Sequence, residues 1–251
     1  MAQSGYGKIV LFNDFAGPEI PVANAVAYGT TAGGCNYYLG DFGVYGDLGE
    51  DDTGVVFVEK ANGFARISGN NENGKGVFVG TGKTLSPTLN GTVAVESRLE
   101  MQAITTDIRV VYVGLMGTLA DDAAEPMTST GTTITMVASD LCGFLLDTQL
   151  DNDDEWHTVY MGGTATGETV STNVESGVTV VAAESDVLRV EVDTDGTARW
   201  YINGDLIKTL ANAVDPDELQ AAGVGCWGVT STAADVDVDY LAVEFNRDWT
   251  R

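Results

Sequence analysis

The chain has 251 residues, of which 12 are basic and 37 acidic, so its formal net charge is −25 at pH 7. A field this negative repels phosphate backbones and anionic lipid surfaces, which argues against nucleic acid and membranes as direct partners. Hydrophobic residues make up 44% of the sequence, which excludes an acidic disordered chain. We therefore expect a folded protein with a sizeable core.

The first half of the chain predicts loops and two strands. Segments 29–54 and 117–133 are rich in Gly, Thr, Asp and Ala, which indicates long surface loops. From Val93 to Met101 apolar and polar residues alternate, as in an antiparallel strand with one exposed face. In the segment from Ile108 to Met116 both the odd and the even positions are apolar apart from Arg109, which predicts an interior strand covered on both faces.

The second half of the chain predicts a series of short strands, namely Trp156–Met161, Val187–Val192, Ala198–Ile202 and Leu206–Leu210. Asn203-Gly204 predicts a type I′ hairpin turn, because both residues accept a positive φ. Side-chain parity determines the pairing across the preceding loop. A shared core face requires Val192 to pair with Ala198, and Glu191 then lies opposite Arg199.

The C-terminal part adds a helix and a last strand. An N-cap Asp215, a proline after it and Gly223 at the end predict a short helix from 215 to 223. The strand from Val236 to Phe245 changes parity, either through a bulge near Tyr240 or because it passes from a sheet edge into the interior. About a dozen strands with one short helix predict an all-β fold, an antiparallel β-sandwich forming one domain over residues 1–251.

Residues 188–204 and 237–243 resemble the closing strands of the concanavalin A-like lectin/glucanase (LamG-like) jelly roll, which often has a "lrievd-dG-v-fyiNG" hairpin and a final "vDyv-v" strand. The segment Phe12-Asn13-Asp14-Phe15 is similar to the first strand of such domains. The resemblance covers residues 90–245 and implies the jelly-roll fold. It leaves the function open, because this fold hosts lectins, hydrolases and inert modules. In its acidic, Gly- and Thr-rich character the chain is also similar to tailed-phage virion proteins.

Catalytic residues are not predicted. The nearest string to the paired carboxylates of jelly-roll glucanases is Glu191 to Gly196, but its final Glu is missing and Asp195 lies in a predicted turn. Retaining hydrolysis needs two carboxyl groups about 5–5.5 Å apart. The single histidine, His157, lies at the start of a strand, a place where a histidine is usually structural. We therefore predict a protein that is not an enzyme.

Metal and cofactor sites are not predicted either. The run Asp151 to Glu155 clusters oxygen ligands of the kind Ca²⁺ prefers, but Trp156 stands where an EF-hand loop needs Gly. We interpret it as a solvated loop and keep calcium at 151–155 as an alternative. The acidic runs at 49–53 and 121–122 are similar. The cysteines, Cys35, Cys142 and Cys226, are predicted to be buried hydrophobic residues, with a zinc site shared with His157 as the alternative.

Exposed aromatic side chains can stack on sugar rings, and the candidates are Trp200, Tyr201, Trp227 and Trp249. Parity places Trp200 on the core face and Tyr201 outward, and Trp249 lies between two arginines in the tail 246–251. Tryptophan and arginine are favoured anchors at interfaces, so the tail is predicted to dock on a partner. No basic leader and no long apolar run occurs, so we expect synthesis in a host cytoplasm and a final location in a virion.

These features together predict a non-enzymatic virion structural protein, in first place a phage capsid decoration protein. Such a protein binds a capsid or another virion protein, and we expect its copies to form a homo-oligomer. One alternative is a carbohydrate-binding, lectin-like module of a tail or surface protein. The other is a divergent glycoside hydrolase.

Overall fold

The computed structural model describes residues 7–16, 37–46, 53–69, 74–102, 104, 109–118, 125–228 and 234–247. In these ranges two eight-stranded antiparallel sheets pack on each other around a common apolar core. The described part of the chain contains no helix with the length and hydrophobicity to span a bilayer.

The strands follow one another through the chain as β1 (Lys8–Asn13), β2 (Tyr37–Leu39), β3 (Phe42–Gly46), β4 (Gly54–Val58), β5 (Phe64–Gly69), β6 (Lys75–Gly80), β7 (Val93–Glu100), β8 (Arg109–Met116), β9 (Met127–Thr130), β10 (Thr133–Met136), β11 (Leu141–Asp147), β12 (Glu155–Met161), β13 (Glu175–Thr179), β14 (Ser185–Val192), β15 (Ala198–Ile202), β16 (Asp205–Leu210), β17 (Ala221–Gly228) and β18 (Ala234–Asn246). One α-helix, α1, spans Pro87–Asn90, and a 3₁₀ turn spans Ser171–Asn173.

The first sheet has the order β16-β15-β14-β7-β18-β5-β4, and β1 also pairs with β18. The second sheet has the order β13-β12-β11-β8-β17-β6-β3-β2. Most neighbours in the middle of each sheet are distant in sequence, as in a jelly roll. The predicted all-β antiparallel sandwich with one short helix is confirmed.

Large side chains from both sheets fill the space between them, and two tryptophans also donate hydrogen bonds there. Trp200 of β15 is fully buried and its Nε1 donates to the carbonyl oxygen of Gly143 in β11, at 2.9 Å. Trp156 of β12 donates to Asp186 Oδ2 in β14, at 2.9 Å. Each bond joins one sheet to the other, so the indole groups position the sheets as well as filling the core.

A third layer covers the other face of the second sheet. Strands β9 and β10 pair with each other in a two-stranded sheet, which we call the cover hairpin (residues 127–136), and Thr133 of β10 also forms an isolated bridge with Val170. Met127 and Ile134 of this hairpin belong to a second apolar cluster with Tyr112, Leu145 and Trp227 of the second sheet. The second sheet is therefore buried on both faces over much of its area.

The predicted strand pairings of the C-terminal half are confirmed. Val192 pairs with Ala198 and Glu191 with Arg199, as the parity argument requires. Asn203 and Gly204 have φ of 53° and 89°, the positive values of a type I′ turn. The pairing of β18 with β7 shifts between Val238 and Tyr240, so the change of parity is a bulge.

The predicted helix from 215 to 223 is wrong. Only a single turn forms, where the amide of Glu218 donates to the carbonyl oxygen of Asp215 at 3.3 Å. Gln220 then forms a bridge to Leu85, and Ala221 begins β17, a central strand between β8 and β6. Strand pairing on both sides outweighs the local capping signals. The α-helix found among the described residues is α1, which has a proline in its first turn.

The loop predictions are wrong in part. Segment 29–54 contains β2 and β3, and segment 117–133 contains β9. These strands are only three to five residues long, and two of them contain two glycines (β3) or two threonines (β9), so the segments around them have the composition of loops. Their strand conformation depends on partners elsewhere in the chain. The rest of both segments lies largely outside the described residues.

Candidate functional site

The outward side of the first sheet carries an ordered row of side chains across five strands. Register places Tyr201 of β15 beside Arg189 of β14, and Arg189 beside Glu96 of β7. Glu96 lies beside Ala242 of β18, which lies beside Phe12 of β1. Four strand spacings make this row roughly 19 Å long. We call this side of the sheet the ion-pair face.

Charged side chains of both signs cover the ion-pair face. Among the described residues, six basic groups pair with seven acidic groups there: Lys8, Lys60, Arg66, Arg98, Arg189 and Arg199 with Glu96, Glu100, Glu191, Asp193, Asp237, Asp239 and Glu244. The thirteen paired charges sum to −1, against −25 for the whole chain. The face is thus almost neutral on a strongly acidic protein.

Arg189 is held at the centre of the face by two carboxylates. Its Nε donates to Glu191 Oε1 at 2.8 Å, and its Nη1 donates to Glu96 Oε2 at 3.1 Å. The hydroxyl of Tyr240 donates to the other oxygen of Glu96 at 2.8 Å, and the hydroxyl of Tyr201 lies 3.3 Å from Glu191 Oε2. Because each group is fixed by another, the hydrogen-bonding atoms of this centre are preorganised.

A polar groove of about 250 Å³ opens next to this centre, where Ala94 leaves space on β7. Its walls include Lys8, Arg189 and Glu244. Lys8 Nζ lies 2.9 Å from Glu244 Oε2, and this hydrogen bond lowers the pKa of Glu244. Arg189 Nη2 lies 3.8 Å from the same oxygen, which is beyond hydrogen-bonding distance. A donor and an acceptor therefore both line the groove, close together but without a direct hydrogen bond between them.

Apolar side chains lie at both ends of the row. Phe12 is 40% exposed and stacks on Tyr240, with ring centroids 5.8 Å apart. At the other end Tyr201 is half-buried, and its neighbour Leu206 of β16 is 54% exposed. Ring and aliphatic surfaces flanking fixed hydrogen-bonding groups form a surface that suits an amphipathic ligand.

The string Glu191 to Gly196 does not form a hydrolytic pair. Asp193 accepts hydrogen bonds from Arg199 and from Thr92, and the bond to Arg199 lowers the pKa of Asp193. Asp195 accepts from the amide of Thr197 at 2.9 Å, which lowers the pKa of Asp195. A glycosidase acid needs a raised pKa, and neither aspartate has one.

His157, Cys142 and Cys226 lie away from the ion-pair face. His157 is buried on the side of the second sheet that carries the second apolar cluster, and burial lowers the pKa of His157. Cys142 and Cys226 are buried in the core between the sheets, as predicted, whereas Cys35 lies outside the described residues. Over the described ranges no three His, Cys, Asp or Glu side chains are placed to hold a metal ion.

The predicted calcium alternative at Asp151 to Glu155 has no convergent ligands in the structure. Asn152 uses both side-chain atoms within the chain, donating to Glu175 and accepting from the hydroxyl of Ser171. Glu155 accepts from the amide of Gly177 at 3.3 Å. The acidic runs at 49–53 and 121–122 lie outside the described residues apart from Thr53. Trp249 and the end of the predicted docking tail lie outside them too.

Three buried carboxyl groups were missed at the level of sequence. Glu125 precedes the cover hairpin, and burial together with the charge of Asp147 raises the pKa of Glu125 to about 8. Burial also raises the pKa of Asp147 itself. Asp140 accepts from the amide of Asp215 at 3.0 Å and from Gln220, while burial raises the pKa of Asp140 to about 7. None of the three belongs to the ion-pair face.

Comparison with known proteins shows the fold. No protein-family model matches the sequence, and no curated protein matches it either. A protein of unknown function from Shewanella oneidensis MR-1 superposes with a TM-score of 0.61 at 12% identity, covering 100% of this chain and 92% of that one. Peanut lectin gives a TM-score of 0.50 at 12% identity, covering 95% and 97%. The Emp46p carbohydrate recognition domain gives 0.51 at 7%, covering 81% and 87%.

Identities this low are informative about the fold alone. The chain has the concanavalin A-like jelly-roll fold that the resemblance implied. Nothing in the fold or in these comparisons tests a capsid partner, a virion location or an oligomeric state, so these stay predictions.

Proposed function

We propose that the chain is a non-catalytic carbohydrate-binding module and that its glycan lies along the row on the ion-pair face. The observation that carries the proposal is the row itself, in which fixed hydrogen-bonding groups stand between apolar surfaces at Phe12 and Tyr201. Two of the structural neighbours, peanut lectin and the Emp46p carbohydrate recognition domain, are named as sugar-binding proteins, which supports this alternative.

Binding follows from the two kinds of surface. The C–H faces of sugar rings pack on the ring of Tyr201 at one end of the row and on that of Phe12 at the other. Sugar hydroxyls replace water at Arg189, Glu96 and Glu191 between them. Because these ions already hold one another in place, little side-chain freedom is lost on binding.

A glycan array followed by calorimetry on the bound polymer tests the proposal. Replacing Tyr201 with alanine removes an apolar contact at the end of the row, so the affinity should fall about tenfold or more. The matched control is Tyr38→Ala, since Tyr38 is 72% exposed on β2 of the other sheet. Equal losses in both variants, or no polymer bound by the unchanged protein, would contradict the proposal.

A further inference from the structure

We infer that the glycan bound on the ion-pair face is an uncharged one, and that one of its hydroxyl groups bridges Arg189 and Glu244 in the groove beside Ala94. This inference rests on the proposed function and adds the class of sugar to it. Three observations carry it: the gap between the two side chains, the pairing of the cations on this face, and the charge of the rest of the chain.

The gap fits a group that both accepts and donates a hydrogen bond. Arg189 Nη2 and Glu244 Oε2 are 3.8 Å apart, too far for a direct bond, and both side chains line the groove. A hydroxyl accepts from the guanidinium and donates to the carboxylate at the same time. A sugar carboxylate or sulfate has no proton to donate and would place its negative charge beside that of Glu244.

Arg199 repeats the arrangement elsewhere on the ion-pair face. Its Nη1 lies 3.8 Å from Glu191 Oε2, while its Nη2 is bonded to Asp193. The ion-pair face therefore has two places where a donor and an acceptor lie near each other but beyond hydrogen-bonding distance. Arg189 has two close carboxylate partners and Arg199 has one, and each arginine has a further nitrogen 3.8 Å from another carboxylate.

The cations of this face are already compensated. Lys8 lies 2.9 Å from Glu244, Arg98 lies 2.7 Å from Asp239, and Arg66 lies 2.7 Å from Asp237. An anionic sugar would have to compete with a protein carboxylate for each of them. Paired ions keep spare lone pairs and N–H groups, which sugar hydroxyls can use without breaking the pairs.

The net charge of the whole chain also favours an uncharged glycan over an anionic one. The paired charges on the ion-pair face sum to −1 and the whole chain carries −25, so all other charged groups together carry −24. The screening length at physiological ionic strength is about 8 Å. A polyanion lying on the face is therefore repelled by those acidic groups that lie within about this distance of it. That field slows the approach of polyanions and leaves neutral polymers unaffected.

Pairs of immobilised polymers that differ only in a C6 hydroxymethyl or C6 carboxylate group test the inference. We would use a glucan with a glucuronan, a mannan with a mannuronan, and a galactan with a galacturonan. For any pair that binds, the neutral member should bind at least tenfold more tightly, and its affinity should change less than twofold between 0.05 and 0.5 M NaCl. A uronan that binds as tightly as its neutral partner would overturn the inference while leaving the proposed function standing. Binding to none of the six polymers would remove both.

The variant Glu244→Gln tests the bridging hydroxyl directly. Removing this charge frees Lys8 and relieves the repulsion of an anionic sugar, so the preference for the neutral member should fall at least threefold. Glu184→Gln is the matched control, because it makes the same change at an exposed position outside the ion-pair face. A preference that stays the same in the Glu244 variant would overturn the placement of the hydroxyl in this groove.

Discussion

Replacing Glu125 with glutamine should remove much of the pH dependence of stability above neutral pH. Glu125 is only 8% exposed, and its Oε1 has no hydrogen-bond partner among the described residues. Because its pKa is higher in the folded chain than in the unfolded chain, the folded state binds more protons. The free energy of unfolding then falls as the pH rises from the unfolded pKa towards the folded pKa.

The magnitude follows from the pKa shift, from 4.5 to about 8. Each unit corresponds to about 1.4 kcal/mol, so the whole shift corresponds to roughly 5 kcal/mol as an upper limit. Between pH 6.5 and 8.5 this one group accounts for about 2 kcal/mol of lost stability. The amide introduces a donor that also needs a partner, which costs about 1–3 kcal/mol at every pH. The slope with pH is therefore the diagnostic quantity.

Urea unfolding at pH 6.5, 7.5 and 8.5 measures that slope. The unchanged protein should lose stability across this range, and Glu125→Gln should lose about 2 kcal/mol less. Glu184→Gln changes the net charge equally at an exposed position, so it should keep the original slope. Parallel slopes for Glu125→Gln and the unchanged protein would show that Glu125 is not protonated beside the cover hairpin.

Two further predictions concern the core. Gly223→Ala should destabilise the fold by roughly 3 kcal/mol in thermal unfolding, because a Cβ there would lie 2.1 Å from the carbonyl oxygen of Val79. Gly82→Ala should be tolerated in the same experiment, because no atom lies nearer than 3.6 Å to a Cβ at that position. Trp200→Phe should cost about 1–3 kcal/mol in urea unfolding, because it leaves the buried carbonyl group of Gly143 without its indole donor.

The hairpin of β15 and β16 was predictable because its information is local. Alternation places Trp200 inward and Tyr201 outward, and Asn203-Gly204 adopts the turn that its chemistry requires. The same parity rule correctly predicts the pairing of Glu191 with Arg199. Within one hairpin, a period of two and a turn type are enough to determine the register.

Elements that depend on distant partners were not predictable in this way. The capping signals at Asp215 favour a helix, but the residues that follow it complete a central strand whose neighbours are β8 and β6. The cover hairpin has no alternating apolar pattern strong enough to mark it, since Met127 and Ile134 are its main apolar contacts with the second sheet. Long-range pairing decides both segments.

The residues of the candidate site also divide into those that local sequence predicts and those that depend on distant strands. Tyr201, Glu191 and Asp193 could be placed on an outward face by parity. Glu96 and Glu244 could not, because β14, β7 and β18 become neighbours only in the folded sheet. Lys8 comes from the other end of the chain to complete the groove. The charged residues of this face can be recognised in the sequence of each strand, but the ion pairs that they form cannot.

The fold separates two populations of carboxyl groups, and this separation predicts that binding and stability respond differently to pH. Asp193 and Glu244 have pKa values lowered by Arg199 and Lys8, so the ion-pair face keeps its charges above neutral pH. Glu125, whose pKa is raised, lies next to the cover hairpin rather than on that face. Glycan affinity measured by calorimetry should therefore change less than twofold between pH 6.5 and 8.5, while the free energy of unfolding falls. An affinity that falls in parallel with stability would mean that the glycan binds near the cover hairpin instead.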